Sequence, residues 1–249
     1  MLRRVEQRGE GSQDARLLLE EDYRNSDMHD KVQLWESGPY WATMNVGAEK
    51  PEDSGYYFWW GDTVGYKREN DKWAASDGSD LNFSFDSVKT PTYNESISTL
   101  QIQGWVVSKD GINVLDSEHD AAQVHWGGDW RMPTEREFND LISKCDWILT
   151  RFNGVNGYIV RGRGSNASKS IFFPHVGFGY RTALYKSLVL GGNYWSSVPD
   201  SDNYGALFLR HNSMAYRDRY YGQTVRPIKA DRCPLGKADT RSDRFARIW

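Results

Sequence analysis

The chain is short of cysteine, and the two it has, Cys145 and Cys233, lie far apart with no CxxC spacing. That excludes a thiolate metal motif and the multi-bridge framework of small secreted domains; one bridge is the most the chain could form. Long apolar runs are missing too. No stretch reaches the roughly 20 apolar residues of a membrane helix. The opening segment MLRRVEQRGEGSQDARLLLEEDYRNSD lacks the apolar core of a secretory signal. As it stands the sequence predicts a soluble chain without a membrane span or an export address. An excess of positive charge is also absent: 31 Lys and Arg stand against 34 Asp and Glu, for a net charge of -3. No basic field attracts a phosphate backbone, so nucleic acid is not an expected partner.

What the chain has is aromatic bulk and turn chemistry. Eleven Trp, 14 Tyr and 10 Phe in 249 residues supply a core for one large domain or two small ones. Twenty-three Gly and a mean hydropathy of -0.73 point to loops and short elements rather than long helices.

Composition divides the chain into three parts. Residues 1–30 form a polar extension with one apolar cluster, Leu17 to Leu19, and residues 230–249 form a polar tail. Residues 31–229 between them read as a single domain. VQLWESGPYWATMNVG reads as two short strands broken at Gly38 and Pro39, and GYYFWWGD as an aromatic strand closing on Gly61. Residues 66–104 read as a long irregular insertion pinned by Trp73, Phe83, Phe85 and Trp105. Ser117 and Asp120 start a helix that Gly127 and Gly128 stop. Thr134 with Glu137 is a capping-box pattern for a second helix, with Phe138, Leu141 and Ile142 on one face. Beyond Trp147 the period falls to two: GYIVRG, SIFFP, NYWSSV, ALFLR and QTVRPI are short strands separated by Gly, Asn and Pro. Two helices followed by a meander of strands make an α+β plan.

Three separated segments carry a resemblance: LWESGPYWATMNVGAEKPEDSGYYFWWGDT (34–63), WGGDWRMPTEREFNDL (126–141) and NYWSSV with GQTVRPI (193–228). In this order they resemble the Fibrobacter-type major paralogous domain, FISUMP, over residues 32–229. The resemblance implies a C-type-lectin-like fold, as also seen in formylglycine-generating enzymes, and a bacterial domain that is surface-associated or secreted. The physics of the signatures is that of a scaffold. Trp130 offers an apolar face, Pro133 sets up a helix capped by Thr134, and Arg131 is suited to bridging carbonyls or a carboxylate. In GQTVRPI, Val225 and Ile228 pack while Arg226 is expected in an internal salt bridge.

The stretch ALFLRHNSMAYRDRYYGQTVRPI (206–228) is the candidate site. If Leu207 and Leu209 face the core, alternation turns Ala206, Phe208 and Arg210 outward. His211, Asn212 and Ser213 then form an exposed turn. Tyr216, Arg217 and Asp218 project onto the same neighbourhood, while Met214 returns to the core. Rigid aromatic and Arg contacts mixed with adaptable Asn, Ser and Asp are the chemistry of a paratope, for a protein or glycan ligand. Some relatives of the resembled family look like the variable proteins of diversity-generating retroelements, whose adenine-directed changes reach most of these residue types. The expected function is ligand binding by a monomer, without catalysis, metal or cofactor.

Other readings compete. A carbohydrate-binding module would need Trp59, Trp60, Trp73 or Trp195 exposed as a platform. The oxidase relatives of the fold use paired cysteines near the C-terminal core, and the positions of Cys145 and Cys233 do not supply that pair. His119 and His125 lie on different faces of one short helix, unlike metal ligands. Asp200, Asp202 and Asn203 offer oxygen ligands for calcium but equally form an ordinary turn. GRGSNASKS (162–170) does not lead from a strand into a long helix as a phosphate loop does. Asn166 begins a glycosylation sequon in form only.

Overall fold

The structure is a computed structural model, and it describes residues 29–79, 83–186, 191–202 and 204–230. The polar extension and tail expected at the two ends lie outside the described residues, apart from residues 29, 30 and 230. In chain order the strands are β1 (Lys31–Gln33), β2 (Tyr40–Ala42), β3 (Tyr66–Glu69), β4 (Lys72–Ala75), β5 (Val106–Lys109), β6 (Ile112–Leu115), β7 (Trp130–Arg131), β8 (Asp146–Phe152), β9 (Val155–Arg161), β10 (Ser170–Pro174), β11 (Phe178–Tyr180), β12 (Ala183–Tyr185), β13 (Asn193–Pro199), β14 (Gly205–Arg210), β15 (Ser213–Asp218) and β16 (Ile228–Lys229). The helices are α1 (Ile97–Ile102), α2 (Ala121–Trp126) and α3 (Glu135–Lys144).

The plan is α+β, with short helices among small antiparallel sheets. One four-stranded sheet, in the order β1-β2-β16-β7, joins the two ends of the domain. Two three-stranded sheets, β10-β9-β8 and β13-β14-β15, make the second half, and three hairpins complete the set. Strand pairing within every sheet is antiparallel.

Local sequence explains where the helices begin. Thr134 Oγ1 accepts from the Glu137 amide while Glu137 Oε2 accepts from the Thr134 amide, so the capping box at the head of α3 is formed as expected. Arg131 adds a guanidinium bonded to both oxygens of Glu137 and to the Met132 carbonyl. Helix α2 starts later than the Ser117 expected, because Asp120 is its cap: the carboxylate takes the amides of Ala122 and Gln123. Gly127, at φ 66°, ends it.

Three segments differ from their sequence reading. GYYFWWGD builds no strand ladder; Tyr57 and Phe58 make single bridges to Tyr66 and Gln223, and their rings are driven into the core. The insertion at 66–104 is more regular than expected, holding the β3–β4 hairpin and α1, although Trp73, Phe83 and Phe85 pin it as expected and Trp105 is half-buried. QTVRPI is bridged at Gln223 and Thr224 and enters a ladder only at Ile228.

Buried side chains form two clusters. The first includes Leu34, Trp41, Tyr57, Trp73, Phe85, Phe138, Phe173, Leu209 and Ile228; the second includes Val46, Phe58, Trp60, Leu115, Met132, Trp195, Phe208 and Val225. Strand β14 lies between them, giving Leu209 to one and Ala206 and Phe208 to the other.

Two fully buried arginines tie this core to the loops. Among the described residues Arg226 makes no salt bridge, contrary to expectation. Its Nε donates to Asn45 Oδ1, Nη1 to the Ala42 carbonyl and Nη2 to the Phe172 carbonyl, with the guanidinium 4.6 Å from the centre of the Phe173 ring. Burial lowers its pKa to about 10, so it stays charged at neutral pH. Carbonyl oxygens satisfy it because its fork spans two segments remote in sequence, residues 42–45 and Phe172, and meets three acceptors there. Replacing Arg226 by Met, similar in length but unable to donate, takes a buried donor away from three acceptors. The expected loss is about 3 kcal/mol or more in chemical denaturation; a loss under about 1 kcal/mol would show that the network carries little of the stability.

Candidate ligand-binding face

The β14–β15 hairpin decides where the sequence-predicted residues lie. Its register pairs Ala206 with Arg217, Phe208 with Ala215 and Arg210 with Ser213 on one face. Leu207 with Tyr216 and Leu209 with Met214 occupy the other. Ala206 and Phe208 are buried, at 0% and 1% exposure, and so are not part of an exposed face. The alternation argument assumed one wet side, whereas the two faces of β14 pack on different hydrophobic clusters and both are covered.

The remaining positions are exposed or half-buried but fall in separate places. Arg210, His211, Asn212 and Ser213 form the tip. His211, at φ 55°, stands with its ring centre 5.7 Å from that of His175 and 6.3 Å from that of Tyr158. Tyr216 is 67% exposed, while Arg217 points to the opposite side of β15. Asp218 ends the strand, about 17 Å from the tip at ~3.4 Å per residue. The nine residues therefore do not converge on one patch.

A different group does converge. Beyond β15 the chain turns through residues 218–221, and the rings there meet rings from three other segments. Tyr93 lies 5.3 Å from Tyr204 and 4.9 Å from Tyr220. Tyr220 stacks on Tyr221 at 4.8 Å, and Tyr221 stacks on Tyr180 at 4.9 Å. Phe178 stacks on Tyr185 at 5.3 Å and meets Tyr221 edge-on. Each of these residues is half-buried or exposed, Tyr185 and Tyr204 by 45% and 44%. Arg217 lies against this row, 4.0 Å from the centre of Phe178 and 5.2 Å from that of Tyr221, with Phe208 beneath it at 4.9 Å. Such contacts are favourable cation–π geometry.

Arg219 holds the turn from below. It is fully buried over the Trp60 ring and donates to the carbonyls of Thr92, Glu95, Asp202 and Gly205. Its own amide bonds to the Tyr204 carbonyl. One side chain thus gathers the Tyr93 loop, the Tyr204 turn and the Tyr220 turn. In the sequence, RDRYYG signals only its own two tyrosines; nothing there shows that residues 93, 178–185 and 204 join them.

The competing sites resolve individually. Trp59, Trp60, Trp73 and Trp195 are all buried, and the indoles of the last three donate to the carbonyls of Ser196, Arg181 and Phe58, so they form no carbohydrate platform. Asp202 Oδ1 accepts from the amides of Tyr204 and Gly205, which is turn chemistry; Asn203 lies outside the described residues. His119 precedes α2 and stacks on Trp105 at 3.7 Å, and His125 bonds to the Thr63 carbonyl. Among the described residues no group of three or more His, Cys, Asp or Glu could hold a metal ion. Cys145 is buried, and burial pushes its thiol up to about 11. Cys233 lies outside the described residues. No helix among the described residues is long and apolar enough to cross a membrane.

A cleft of about 620 Å³ opens elsewhere, between the β5–β6 hairpin and the starts of α2 and α3. Two of its charged groups are engaged with the scaffold: Arg131 with Glu137, and Asp120 with the amides of Ala122, Gln123 and Met132.

Protein-family models, curated proteins and solved structures gave no match to the chain.

Burial raises the Asp120 carboxyl to about 6, against which three amide bonds pull only partly. Between the ordinary value of 3.8 and about 6 the folded state therefore holds more proton than the unfolded chain. This contribution to stability is complete below pH 3.8 and is lost as pH rises through 6. Asp120→Asn should remove that part of the slope in stability measured from pH 4 to pH 7; an unchanged slope would show that Asp120 titrates normally.

Proposed function

We propose that this chain is a non-catalytic ligand-binding domain that engages a protein ligand through the row of tyrosines at 93, 180, 185, 204, 220 and 221. The observation that carries the reading is the row itself: six partly exposed phenol rings from four segments, three of them gathered from beneath by one buried arginine and the β11–β12 hairpin tied to them through Gly179 and Gly222. Large rings with few rotatable bonds give contact area at low entropic cost, which is why tyrosine dominates recognition surfaces. Being fixed before the ligand arrives, they leave less ordering to be done on binding.

The C-type-lectin-like fold and membership of the FISUMP group belong to this proposal, on the three sequence segments that resemble that family. The WRMPT segment supports it by doing the structural work its residues suggest, with Trp130 buried, Arg131 clamped to Glu137 and Thr134 capping α3. If the face is diversified, the varied positions exclude Ala206 and Phe208, where a change would disturb the core. Exposed Asn212 and Tyr216 would tolerate it.

A triple replacement, Tyr180→Ala with Tyr185→Ala and Tyr220→Ala, tests the reading. Peptides selected from a random displayed library against the full chain should bind the triple variant at least about tenfold more weakly, the equivalent of about 1.4 kcal/mol. Leu149→Ser, on the exposed β8–β9 ribbon, should change nothing. Equal binding to the triple variant would remove the tyrosine row as the site.

A further inference from the structure

Among the described residues the Arg217 guanidinium has no hydrogen-bonding partner. None of the hydrogen bonds or ion pairs among the described residues uses its side chain, and its Nη1 is sealed from solvent without an acceptor. Three rings surround it, from Phe178, Phe208 and Tyr221. The nearest acid in sequence, Asp218, acts on Arg217 through space but forms no ion pair with it, since successive side chains of β15 point to opposite sides. Arg210, on the same face as Arg217, adds a second positive charge. Arg181, exposed, lies 5.3 Å from the Tyr180 ring centre and likewise has no ion pair among the described residues.

The row is therefore polarised. Arg181 and Arg217 mark the end built by Phe178, Tyr180 and Tyr221. Asp202 marks the other end: burial raises the Tyr93 hydroxyl pKa, and Asp202 raises it further, as does Asp218, which acts on Arg217 too. An arginine desolvated against rings has lost part of its hydration and gained no acceptor, and its pKa falls to about 10. The group that would restore the lost hydration is a carboxylate, which matches the planar fork and binds more strongly in a partly dry setting.

We propose that Arg217 is the anchor of this face for an acidic ligand, receiving an Asp or Glu carboxylate of a peptide segment laid along the tyrosines. This rests on the binding role assigned above to the row. A peptide fits better than an acidic sugar because the rings do not form one flat shelf. Their planes meet at angles from 14° for Phe178 and Tyr185 to 84° for Tyr93 and Tyr220.

The test uses the full chain and two probes: a random displayed peptide library and an array of uronic-acid oligosaccharides. Library peptides that depend on the tyrosine row should be enriched in Asp and Glu. Their affinity should fall about tenfold or more in Arg217→Gln and recover only in part in Arg217→Lys, which keeps charge but loses the fork. Enrichment is read on the unaltered protein, so it stands even if a variant folds poorly. Row-dependent peptides without acidic enrichment, indifferent to Arg217→Gln, would overturn this assignment and leave the tyrosine face intact. A library yielding no row-dependent peptide would overturn the face itself. Arg217-dependent binding of the oligosaccharides alone would replace the peptide by an acidic glycan.

Discussion

Guanidinium groups bonded to main-chain carbonyls are the constraint on which this structure turns. Most of the chain is short strands and loops, so few of its segments are fixed by long ladders. Arg226 and Arg219 supply what the ladders do not. Each is sealed in the interior, each lies on an aromatic ring, and each spreads its donors over segments remote in sequence. Neither has a carboxylate partner among the described residues. A carboxylate would engage two donors at one point, whereas carbonyls let one side chain tie its own strand or turn to two remote segments at once. Arg226 does this for the closing strand of the domain, and Arg219 for the loops that carry the tyrosines.

The same economy of strands explains why the central hairpin has no free side. With two hydrophobic clusters on either side of β14, its alternation separates one core from the other rather than core from water. Only β15, at the edge, retains outward positions, and it divides them: Tyr216 on one side, Arg217 on the other. Recognition chemistry consequently collects where the chain leaves the sheet, over a turn whose backbone is fixed by Arg219 and by bonds such as Gly222 N to Gly179 O at 2.9 Å.

Much of the scaffold was legible in the residues. The capping box at Thr134 needs only local contacts, and the short strands of the second half follow from a period of two and from turn residues. Those signals are read within a few positions. The aromatic run at 55–62 was misread as a strand because β propensity and burial share the same residues, and tertiary packing took the rings without a ladder. Arg226 was misread for a related reason: a sequence shows that an arginine is flanked by core residues, not whether carbonyls or a carboxylate await it. The site was half legible. RDRYYG carries its own chemistry, but Tyr93, Tyr180, Tyr185 and Tyr204 reach it through long-range packing that no spacing encodes. Burial of Ala206 and Phe208 depends on a second cluster packing on the far face of β14, with residues such as Val46, Phe58 and Trp60 that are remote in sequence.

The central claim is that the tyrosine row is a preformed surface, fixed from beneath before any ligand binds. Amide hydrogen exchange in the free protein tests it most directly at Arg219, Tyr221 and Gly222, whose amides bond to Tyr204, Asp218 and Gly179. The account predicts protection close to that of the buried Trp195 amide, because opening the turn requires breaking the Arg219 network. Exchange at these three sites at the rate of an unstructured chain would contradict it, since the rings would then be ordered by the ligand rather than offered to it.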